Sequence, residues 1–425
     1  MICRNVPRFA ATRTIELAAL SVTTRKFGVY IMLAALWLCA SGSQSAAQTF
    51  TTLVNFDGTD GANSTAGLIR TTDGNFYGTT SEGGANSAGT VFRISPSGAL
   101  TTIYSFCSQT GCPDGASPMG ALIQAGDGNL YGTTYGFGFS SNRGTVFKIT
   151  LSGTLTTLHT FSSTGTGGQF PLAGLIQGKD GNLYGTTSRG SANICTVRPT
   201  YNVHCGTIFK ITTSGTVTTL ASFDQAHGFS PSSPLVQATD GNLYGTTPMG
   251  GANYPGFGTV FEVTPTGTLT VLHSFDATDG EKSLAALVQG SDRNFYGTTS
   301  FGGGNPNFGG TVFKITPTGT LTTLHSFGSG DSTGASAALI QATDGNFYGT
   351  TSGFGVSHTG TVFKITPSGT LTTLHTFDGA DGELPYSTLV EGSNGDLYGT
   401  TKYGASSACS EGCGTVFSLA VGLAP

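Results

Sequence analysis

The chain has 425 residues, of which 66 are glycine and only 10% are charged. Residues 1–47 hold five basic residues and one acidic residue, so the net charge of −5 for the whole chain becomes −9 for residues 48–425. Such an acidic protein is not expected to bind nucleic acid, because phosphate binding needs a clustered basic face. β-Branched and aromatic residues recur at fixed positions, which favours a protein of strands and turns over a disordered one.

The first 47 residues have the pattern of a signal peptide. Arg25 and Lys26 precede the apolar run Phe27–Ala40, and Ser45-Ala46-Ala47 offers a cleavage site. The apolar run is shorter than the roughly 20 residues of a membrane span. We therefore expect residues 1–47 to direct export and the protein to be secreted or held at the surface of a bacterium. The alternative is an uncleaved leader that anchors the protein.

A repeated unit occupies the rest of the chain, residues 48–425. Its signature, Tyr-Gly-Thr-Thr, occurs seven times at intervals of 50 to 60 residues, beginning at Tyr77, Tyr131, Tyr184, Tyr244, Tyr296, Tyr348 and Tyr398. Self-similarity at such a period indicates a repeat architecture. The sequence therefore predicts one domain of seven similar units.

Each unit contains four short runs that have strand composition. In the third unit these runs are Gly174–Gly178, Asn182–Thr187, Gly206–Thr212 and Thr216–Phe223. Asp-Gly-Asn usually separates the first two runs, and Pro-Ser/Thr-Gly often separates the last two. Both sequences are typical of tight turns. The other two connections vary in length and content, and they are predicted to share one face of the domain.

These features predict an all-β, seven-bladed β-propeller with four antiparallel strands in each blade. The chain after the leader opens with Thr51–Phe56, which matches a fourth run, and its last run, Gly414–Leu419, matches a third run. We therefore expect the N-terminal strand to complete the last blade and close the ring.

Six cysteines in the repeats form three local pairs. The pairs are Cys107/Cys112, Cys195/Cys205 and Cys409/Cys413, all in the variable connections. Local pairing in an exported chain predicts three disulfides. Metal binding is the alternative, but no pair has a second pair close by in the sequence to complete a four-ligand site.

The variable connections also carry aromatic residues among glycines. These are Tyr135, Phe137, Phe139, Tyr254, Phe257, Phe301, Phe308, Phe354 and Tyr403. Because function often resides in loops on a rigid scaffold, we predict that they contribute to a binding face. The alternative is that the rings fold inward and fill the bases of the loops.

Two polar patterns could carry chemistry but have simpler interpretations. His159, His273, His325 and His375 share one position in the fourth run, which predicts a role at the blade surface or edge and no catalytic site. Asp-x-x-Asp-Gly follows the fourth run in several units, as at Asp57/Asp60. Oxygen-rich turns can bind calcium, but aspartates in turns more often bond to their own backbone. We predict no metal and no cofactor.

The unit resembles the GloVer tandem repeat of bacterial exported proteins. The likeness rests on Asp-Gly-Asn-Leu/Phe-Tyr-Gly-Thr-Thr followed by Gly-Thr-Val-Phe-Lys-Ile-Thr-Pro-Ser-Gly-Thr-Leu-Thr-Thr-Leu-His-Ser-Phe, and it spans about residues 49–420. That family is described by its repeats and its varied C-terminal sorting anchors, so the resemblance implies export and supplies no catalytic residues. No such anchor segment follows the last repeat before Pro425, which leaves surface attachment open.

Two functional hypotheses follow from the sequence. The first is a secreted, monomeric, non-enzymatic propeller that binds a protein or a glycan through its variable-loop face. The second is an exported hydrolase or lyase that acts on polysaccharide at the channel mouth. The first is favoured because no catalytic constellation can be placed on the repeats.

Overall fold

The computed structural model describes residues 48–136, 142–163, 167–198, 201–253, 256–304, 309–328, 331–353 and 359–423. These residues form seven four-stranded antiparallel sheets and one two-stranded sheet. The seven larger sheets are the blades of a propeller, arranged in a ring, so the predicted fold is confirmed. No helix among the described residues is long and apolar enough to cross a membrane.

Every blade has the same strand order. The first strands are β2 (Ile69–Arg70), β6 (Ile123–Gln124), β10 (Ile176–Gln177), β16 (Val236–Gln237), β20 (Val288–Gln289), β24 (Ile340–Gln341) and β28 (Val390–Glu391). The second strands are β3 (Phe76–Thr80), β7 (Leu130–Thr134), β11 (Leu183–Thr187), β17 (Leu243–Thr247), β21 (Phe295–Thr299), β25 (Phe347–Thr351) and β29 (Asp396–Thr400). The third strands are β4 (Thr90–Ile94), β8 (Asn142–Ile149), β14 (Thr207–Ile211), β18 (Thr259–Val263), β22 (Thr311–Ile315), β26 (Thr361–Ile365) and β30 (Thr415–Ala420). The fourth strands are β5 (Leu100–Ser105), β9 (Leu155–Ser162), β15 (Val217–Ser222), β19 (Leu269–Ser274), β23 (Leu321–Ser326), β27 (Leu371–Thr376) and β1 (Thr49–Asn55).

The Tyr-Gly-Thr-Thr signature forms the second strand, which is fully buried in the middle of each blade. Its glycine makes room for a neighbouring ring. A Cβ on Gly132 would lie 2.6 Å from Cζ of Phe147 and 2.8 Å from Cδ2 of Leu122. The signature is therefore a packing motif, in which the missing side chain lets a phenylalanine of the third strand lie flat against the sheet.

Neighbouring blades are joined by rings and by a hydrogen bond near their first strands. At three of the seven joints the tyrosine of one signature contacts a phenylalanine of the next blade, as for Tyr296 and Phe347, whose centroids are 4.0 Å apart. In addition, the backbone N–H of Thr72 donates to Oε1 of Gln124 in the next blade at 2.9 Å. Equivalent bonds join the following five pairs of blades, with Gln177, Gln237, Gln289, Gln341 and Glu391 as acceptors.

The first and last blades meet through the N-terminal strand. β1 pairs antiparallel with β30 from Thr49 opposite Ala420 to Asn55 opposite Thr415. Phe56 is fully buried, and Phe76 of the first blade stacks on Tyr398 of the last at 4.2 Å. The predicted closure of the ring is confirmed, with β1 beginning two residues earlier than the predicted run.

Two local features differ from the sequence prediction. First strands such as β10 contain only two residues, whereas the sequence predicted a strand over Gly174–Gly178. The predicted strand is shortened because the residues before β10 line the axis of the ring at close range. A Cβ on Gly174 would lie 2.5 Å from the carbonyl oxygen of Ala121. The long insertion in the third blade contains a hairpin that the repeat pattern did not predict, formed by β12 (Ile194–Arg198) and β13 (Tyr201–His204).

Candidate functional site

The variable connections that lead from one blade to the next share one backbone feature. Each connection contains a dipeptide that is often Asp-Gly, such as Asp60-Gly61. The residue two positions after this glycine position has a positive φ in all seven connections. The residues and angles are Asn63 (60°), Ser117 (53°), Phe170 (57°), Ser230 (58°), Lys282 (52°), Gly334 (78°) and Leu384 (51°). Six of the seven are not glycine, although this conformation is uncommon for other residues.

Two residues further along each connection, the chain reaches the axis of the ring. Thr65, Met119, Leu172, Ser232, Leu284, Ser336 and Tyr386 surround the mouth of a central channel. Mostly small residues line the channel beyond this mouth, including Ala66, Ala121 and Ala173, and its volume is about 120 Å³. Ligand sites usually have roughly 300–1,000 Å³. The channel is therefore too small for most organic ligands, and the mouth is the relevant surface.

A larger cavity of about 610 Å³ lies beside this mouth, over the loops of the second to fifth blades. We call it the mouth pocket. Six of its lining residues have large apolar or aromatic side chains that lie outside the hairpin of the third blade: Met119, Tyr135, Phe170, Leu172, Met249 and Leu284. The remaining six are Ser188, Arg189, Tyr201, Ser230, Ser232 and Pro248. Of these, Tyr201 and Pro248 bring the aromatic and apolar residues to eight of twelve. Its size and mostly apolar lining, with a few polar groups, are typical of a ligand site.

Phe170 is fixed at the centre of the aromatic part of the mouth pocket. Its ring centroid is 4.8 Å from that of Tyr135, and the guanidinium carbon of Arg143 lies 5.1 Å from the same centroid. Its N–H donates to the carbonyl of Arg143 at 2.7 Å, and its carbonyl accepts from Ser188 N–H and Oγ at 3.0 Å each. These bonds hold Phe170 in its left-handed backbone conformation.

Arg189 provides the positive charge among the lining residues. Its Nη1 donates to the carbonyl of Ser188 at 3.0 Å and to Oγ of Ser230. Its backbone pairs with Gln169 in both directions, at 2.8 and 3.0 Å, which fixes the base of the side chain. None of the twelve lining residues is an aspartate, glutamate, histidine or cysteine. The described lining thus offers binding contacts and hydrogen-bond donors, without a group that would serve as a general base at neutral pH.

The hairpin of β12 and β13 forms one wall of the mouth pocket. Tyr201 lines the pocket and is 56% exposed, and Ile194 on the paired strand is 55% exposed. The Cys195–Cys205 disulfide closes the base of the hairpin, and Thr196 N–H donates to Oε1 of Gln225 at 2.9 Å. The hairpin is therefore held in place while it presents two large apolar side chains to solvent.

The structure separates the aromatic residues that the sequence singled out. Tyr135 lines the mouth pocket, whereas Phe257 packs partly buried against a neighbouring core cluster. Nζ of Lys282 lies 4.6 Å from the ring centroid of Phe301, and Nζ of Lys402 lies 4.6 Å from that of Tyr403. Phe137, Phe139, Tyr254, Phe308 and Phe354 lie outside the described residues.

Most of the lining residues were missed because they are not aromatic residues in glycine-rich loops. Met119, Leu172 and Leu284 each lie four residues after the glycine of the repeat, at Gly115, Gly168 and Gly280. Aligning the units on this glycine brings the seven residues of the channel mouth into one column. That alignment is the sequence signal that could have identified them.

All three predicted disulfides are present: Cys107–Cys112, Cys195–Cys205 and Cys409–Cys413. Three of the four histidines that the sequence singled out in the fourth strands contact aspartates of the following loops. His375 Nε2 lies 2.7 Å from Oδ2 of Asp381, and the same pairing joins His273 to Asp279. This is an edge role, as the sequence predicted. Burial lowers the pKa of the fourth such histidine, His159.

The Asp-x-x-Asp-Gly turns bond to their own backbone. Asp57 Oδ1 accepts from Thr59 N–H at 2.8 Å, from Thr59 Oγ1 at 2.7 Å and from Asp60 N–H at 3.2 Å. The hydrogen bonds from Thr59 are the main cause that lowers the pKa of Asp57. Among the described residues, no three histidine, cysteine or acidic side chains come close enough together to hold a metal ion.

Comparison with solved structures finds many propellers of low sequence identity. One match is an extracellular domain described as that of a hybrid two-component system of B. thetaiotaomicron. The alignment covers 88% of this chain and 39% of that domain, with 10% identity and a TM-score of 0.52. The chain also aligns over 81% of its length with 50% of a puromycin hydrolase, with 13% identity and a TM-score of 0.50. A third match is a protein described as a 6-phosphogluconolactonase of Bacteroides fragilis. The alignment covers 78% of this chain and 86% of that protein, with 18% identity and a TM-score of 0.47. At these identities the first two likenesses show the fold alone.

No curated protein matches the sequence. The model of the Gloeobacter/Verrucomicrobia repeat matches residues 42–198 and 192–417, which together include all seven signatures. This match confirms the resemblance that the repeat unit indicated. The chain belongs to the Gloeobacter/Verrucomicrobia repeat family.

Proposed function

We propose that this protein is an exported, non-enzymatic propeller that binds a protein or a glycan through its variable-loop face. The observation that carries this proposal is the mouth pocket, a cavity of about 610 Å³ lined by aromatic and aliphatic side chains. Large apolar side chains left accessible on a rigid scaffold usually mark a binding site. Met119 and Leu284 are each 37% exposed at this mouth.

Export is supported by two independent features. The order of residues in 1–47 is that of a signal peptide. Three disulfides are formed in the repeats, and disulfides persist mainly in oxidising compartments outside the cytoplasm. We expect a monomer that is secreted or held at the bacterial surface.

The test is binding by the full chain, expressed with its own leader, to arrays of glycans and of short peptides. A double variant, Tyr135→Ala with Met249→Ala, removes apolar lining on two sides of the mouth pocket. We expect it to lose at least about tenfold in affinity for any ligand found, because buried aromatic contacts dominate binding energy. The matched control is Arg70→Gln on the opposite face, which should bind like the wild type.

Equal binding by the double variant and the wild type would place the ligand elsewhere and contradict the proposal. The same preparation should be incubated with polysaccharides and esters. Turnover that is lost in the double variant would favour the alternative of a hydrolase or lyase at the channel mouth. We expect no turnover, since the described lining of the pocket contains no acid–base pair.

A further inference from the structure

The mouth pocket combines an apolar floor with a guanidinium group, and this combination narrows the class of ligand. We propose that it binds a peptide segment in which an apolar or aromatic side chain lies next to a carboxylate, and that Arg189 pairs with that carboxylate. The inference rests on the proposed function, since it names the ligand of the same site.

The floor of the pocket fits an apolar side chain. Met119 and Leu284 are each 37% exposed, and Leu172 and Met249 continue the same surface. Aliphatic side chains supply no hydrogen bonds to the hydroxyl groups of a sugar, which would have to give up water to lie on them. Methionine side chains adapt to different apolar partners and are common at peptide-binding surfaces. The floor therefore favours a peptide side chain over a sugar ring.

The charge of the pocket favours an anion next to that side chain. Both hydrogen bonds of Arg189 to described residues use Nη1, which leaves Nη2 and Nε as donors toward a ligand. A guanidinium group binds a carboxylate with two parallel hydrogen bonds. A second guanidinium group, that of Arg143, does not line the pocket but lies 5.1 Å from the ring centroid of Phe170, which does. No lining residue is acidic, although the whole chain has a net charge of −5.

The surrounding groups already fix the position of Arg189. The carbonyl of Ser188 and Oγ of Ser230 hold Nη1, and the paired backbone of Gln169 holds its base. Less side-chain entropy is then lost when a carboxylate binds. Ser232 adds a polar atom at the same mouth, since its buried Oγ has no hydrogen-bond partner among the described residues.

The experiment uses the full chain and fluorescein-labelled hexapeptides, with fluorescence anisotropy as the readout. The central residue is alanine, leucine, phenylalanine or tryptophan, and the next residue is aspartate or asparagine. We expect the tightest binding when a large apolar residue precedes aspartate, and at least about tenfold weaker but measurable binding of the matching asparagine peptide. Because the pairing is ionic, raising the salt concentration should weaken the aspartate peptide more than the asparagine peptide.

The variant Arg189→Gln isolates the proposed contact. It should weaken the aspartate peptide by about tenfold or more and leave the asparagine peptide almost unchanged. Arg189→Lys should retain part of the affinity, because it keeps the charge and loses the paired geometry. If Arg189→Gln fails to fold, as judged by circular dichroism, the comparison of the two peptides in the wild type still tests the proposal.

Two results would overturn the inference and separate it from the proposed function. Equal binding of aspartate and asparagine peptides would show that Arg189 does not pair with a carboxylate. Binding of a polyuronate or another glycan, with no peptide bound, would assign the pocket to glycans and leave the proposed binding function standing. An absence of binding to every peptide and every glycan would contradict both.

Discussion

The two faces of this propeller are built from the same repeats but differ in how much their residues vary from blade to blade. On the face of the tight turns, four blades repeat one arrangement, in which a lysine of the third strand contacts the aspartate of the turn, which is Asp-Gly-Asn in three blades and Asp-Arg-Asn in one. The pairs are Lys148–Asp127, Lys210–Asp180, Lys314–Asp292 and Lys364–Asp344, all at 2.8 or 2.9 Å. On the loop face, the residue two positions after Tyr-Gly-Thr-Thr changes from blade to blade, as Glu82, Gly136, Arg189, Met249, Phe301, Gly353 and Tyr403.

This difference indicates a division of roles. Repetition on the turn face gives four blades the same local stabilisation. Variation on the loop face creates an asymmetric pocket on a ring of similar units. Changes in the repeated parts should therefore alter the free energy of unfolding with little effect on binding. Changes in the loop face should do the reverse.

The largest effect is expected from removing the strand that closes the ring. Deletion of residues 48–57 removes β1, which is the strand that pairs with β30. It also removes two buried or packed rings, those of Phe56 and of Phe50, the latter stacked on Phe417 at 5.3 Å. Burial of two phenylalanine side chains stabilises a fold by roughly 3–6 kcal/mol before the loss of conformational entropy is counted. This is a large part of the free energy of unfolding of a typical domain, about 5–15 kcal/mol. We expect a much lower melting temperature in calorimetry, and aggregation through the exposed edge.

The control for this deletion is a chain that lacks only residues 1–47, which should melt like the full chain. A protein without residues 48–57 that melts at the unchanged temperature would show that β1 is dispensable for the ring.

The next prediction concerns the loop face. Replacing both cysteines, by Cys195→Ser with Cys205→Ser, frees the hairpin that carries Tyr201. Because the disulfide closes a small loop, its loss should cost at most about 2–3 kcal/mol, whereas ligand binding at the mouth pocket should weaken by about tenfold. The measurements are melting temperature and ligand titration on the same sample. Cys409→Ser with Cys413→Ser is the matched control, since this pair does not line the pocket. Equal loss of binding in both variants would argue against a positioning role for the hairpin.

The contrast between the faces also explains what the sequence could and could not predict. Strands, turns and ring closure follow from residues that recur, such as the glycine of Tyr-Gly-Thr-Thr, because one packing solution is used seven times. The mouth pocket depends on residues that occur once, such as Arg189 and Tyr201, and on the hairpin of a single insertion. Periodicity contains no information about how such singular residues meet across four blades. Of the four predicted aromatic residues that the structure describes, Tyr135 lines the pocket and Phe257, Phe301 and Tyr403 do not.

The turn face should show a defined dependence on pH. Burial raises the pKa of Asp344, but hydrogen bonds from Lys364, Asn346 and Tyr348 outweigh this effect. The net result is a pKa lowered from 3.8 to about 2. A carboxyl group with a depressed pKa stabilises the fold fully above its unfolded pKa, and this contribution is lost as pH falls through the folded pKa. Asp73 and Asp292 are also lowered to about 2. The melting temperature should therefore fall between about pH 4 and pH 2.

Asp344→Asn sharpens this prediction. The free energy of unfolding, measured in urea, should be lower in the variant than in the wild type by about 1 kcal/mol at pH 7, and the difference should shrink toward zero near pH 2. Binding at the mouth pocket should not change. A difference that is the same at both pH values would mean that the carboxylate charge is not what stabilises this turn.

The smallest effect is expected at the joint between the last and first blades. Six neighbouring pairs of blades share a hydrogen bond from a turn N–H to a glutamine or glutamate of the next blade, as from Ser291 to Gln341 at 2.8 Å. When the units are aligned, Arg70 holds the acceptor position of the seventh joint and Ser393 holds the donor position. Arginine has no acceptor atom. Arg70→Gln should supply the missing acceptor and stabilise the fold by about 0.5 kcal/mol, at the low end for a hydrogen bond because Arg70 is exposed.

The matched comparison is Gln341→Arg, which creates the arginine joint elsewhere and should destabilise the fold by a similar amount. Urea titrations of both variants against the wild type would resolve the opposite signs. If Arg70→Gln lowers stability, the arginine makes a favourable contribution at this joint. Closure by β1 would then be reinforced by a contact of a different kind from those that join the other blades.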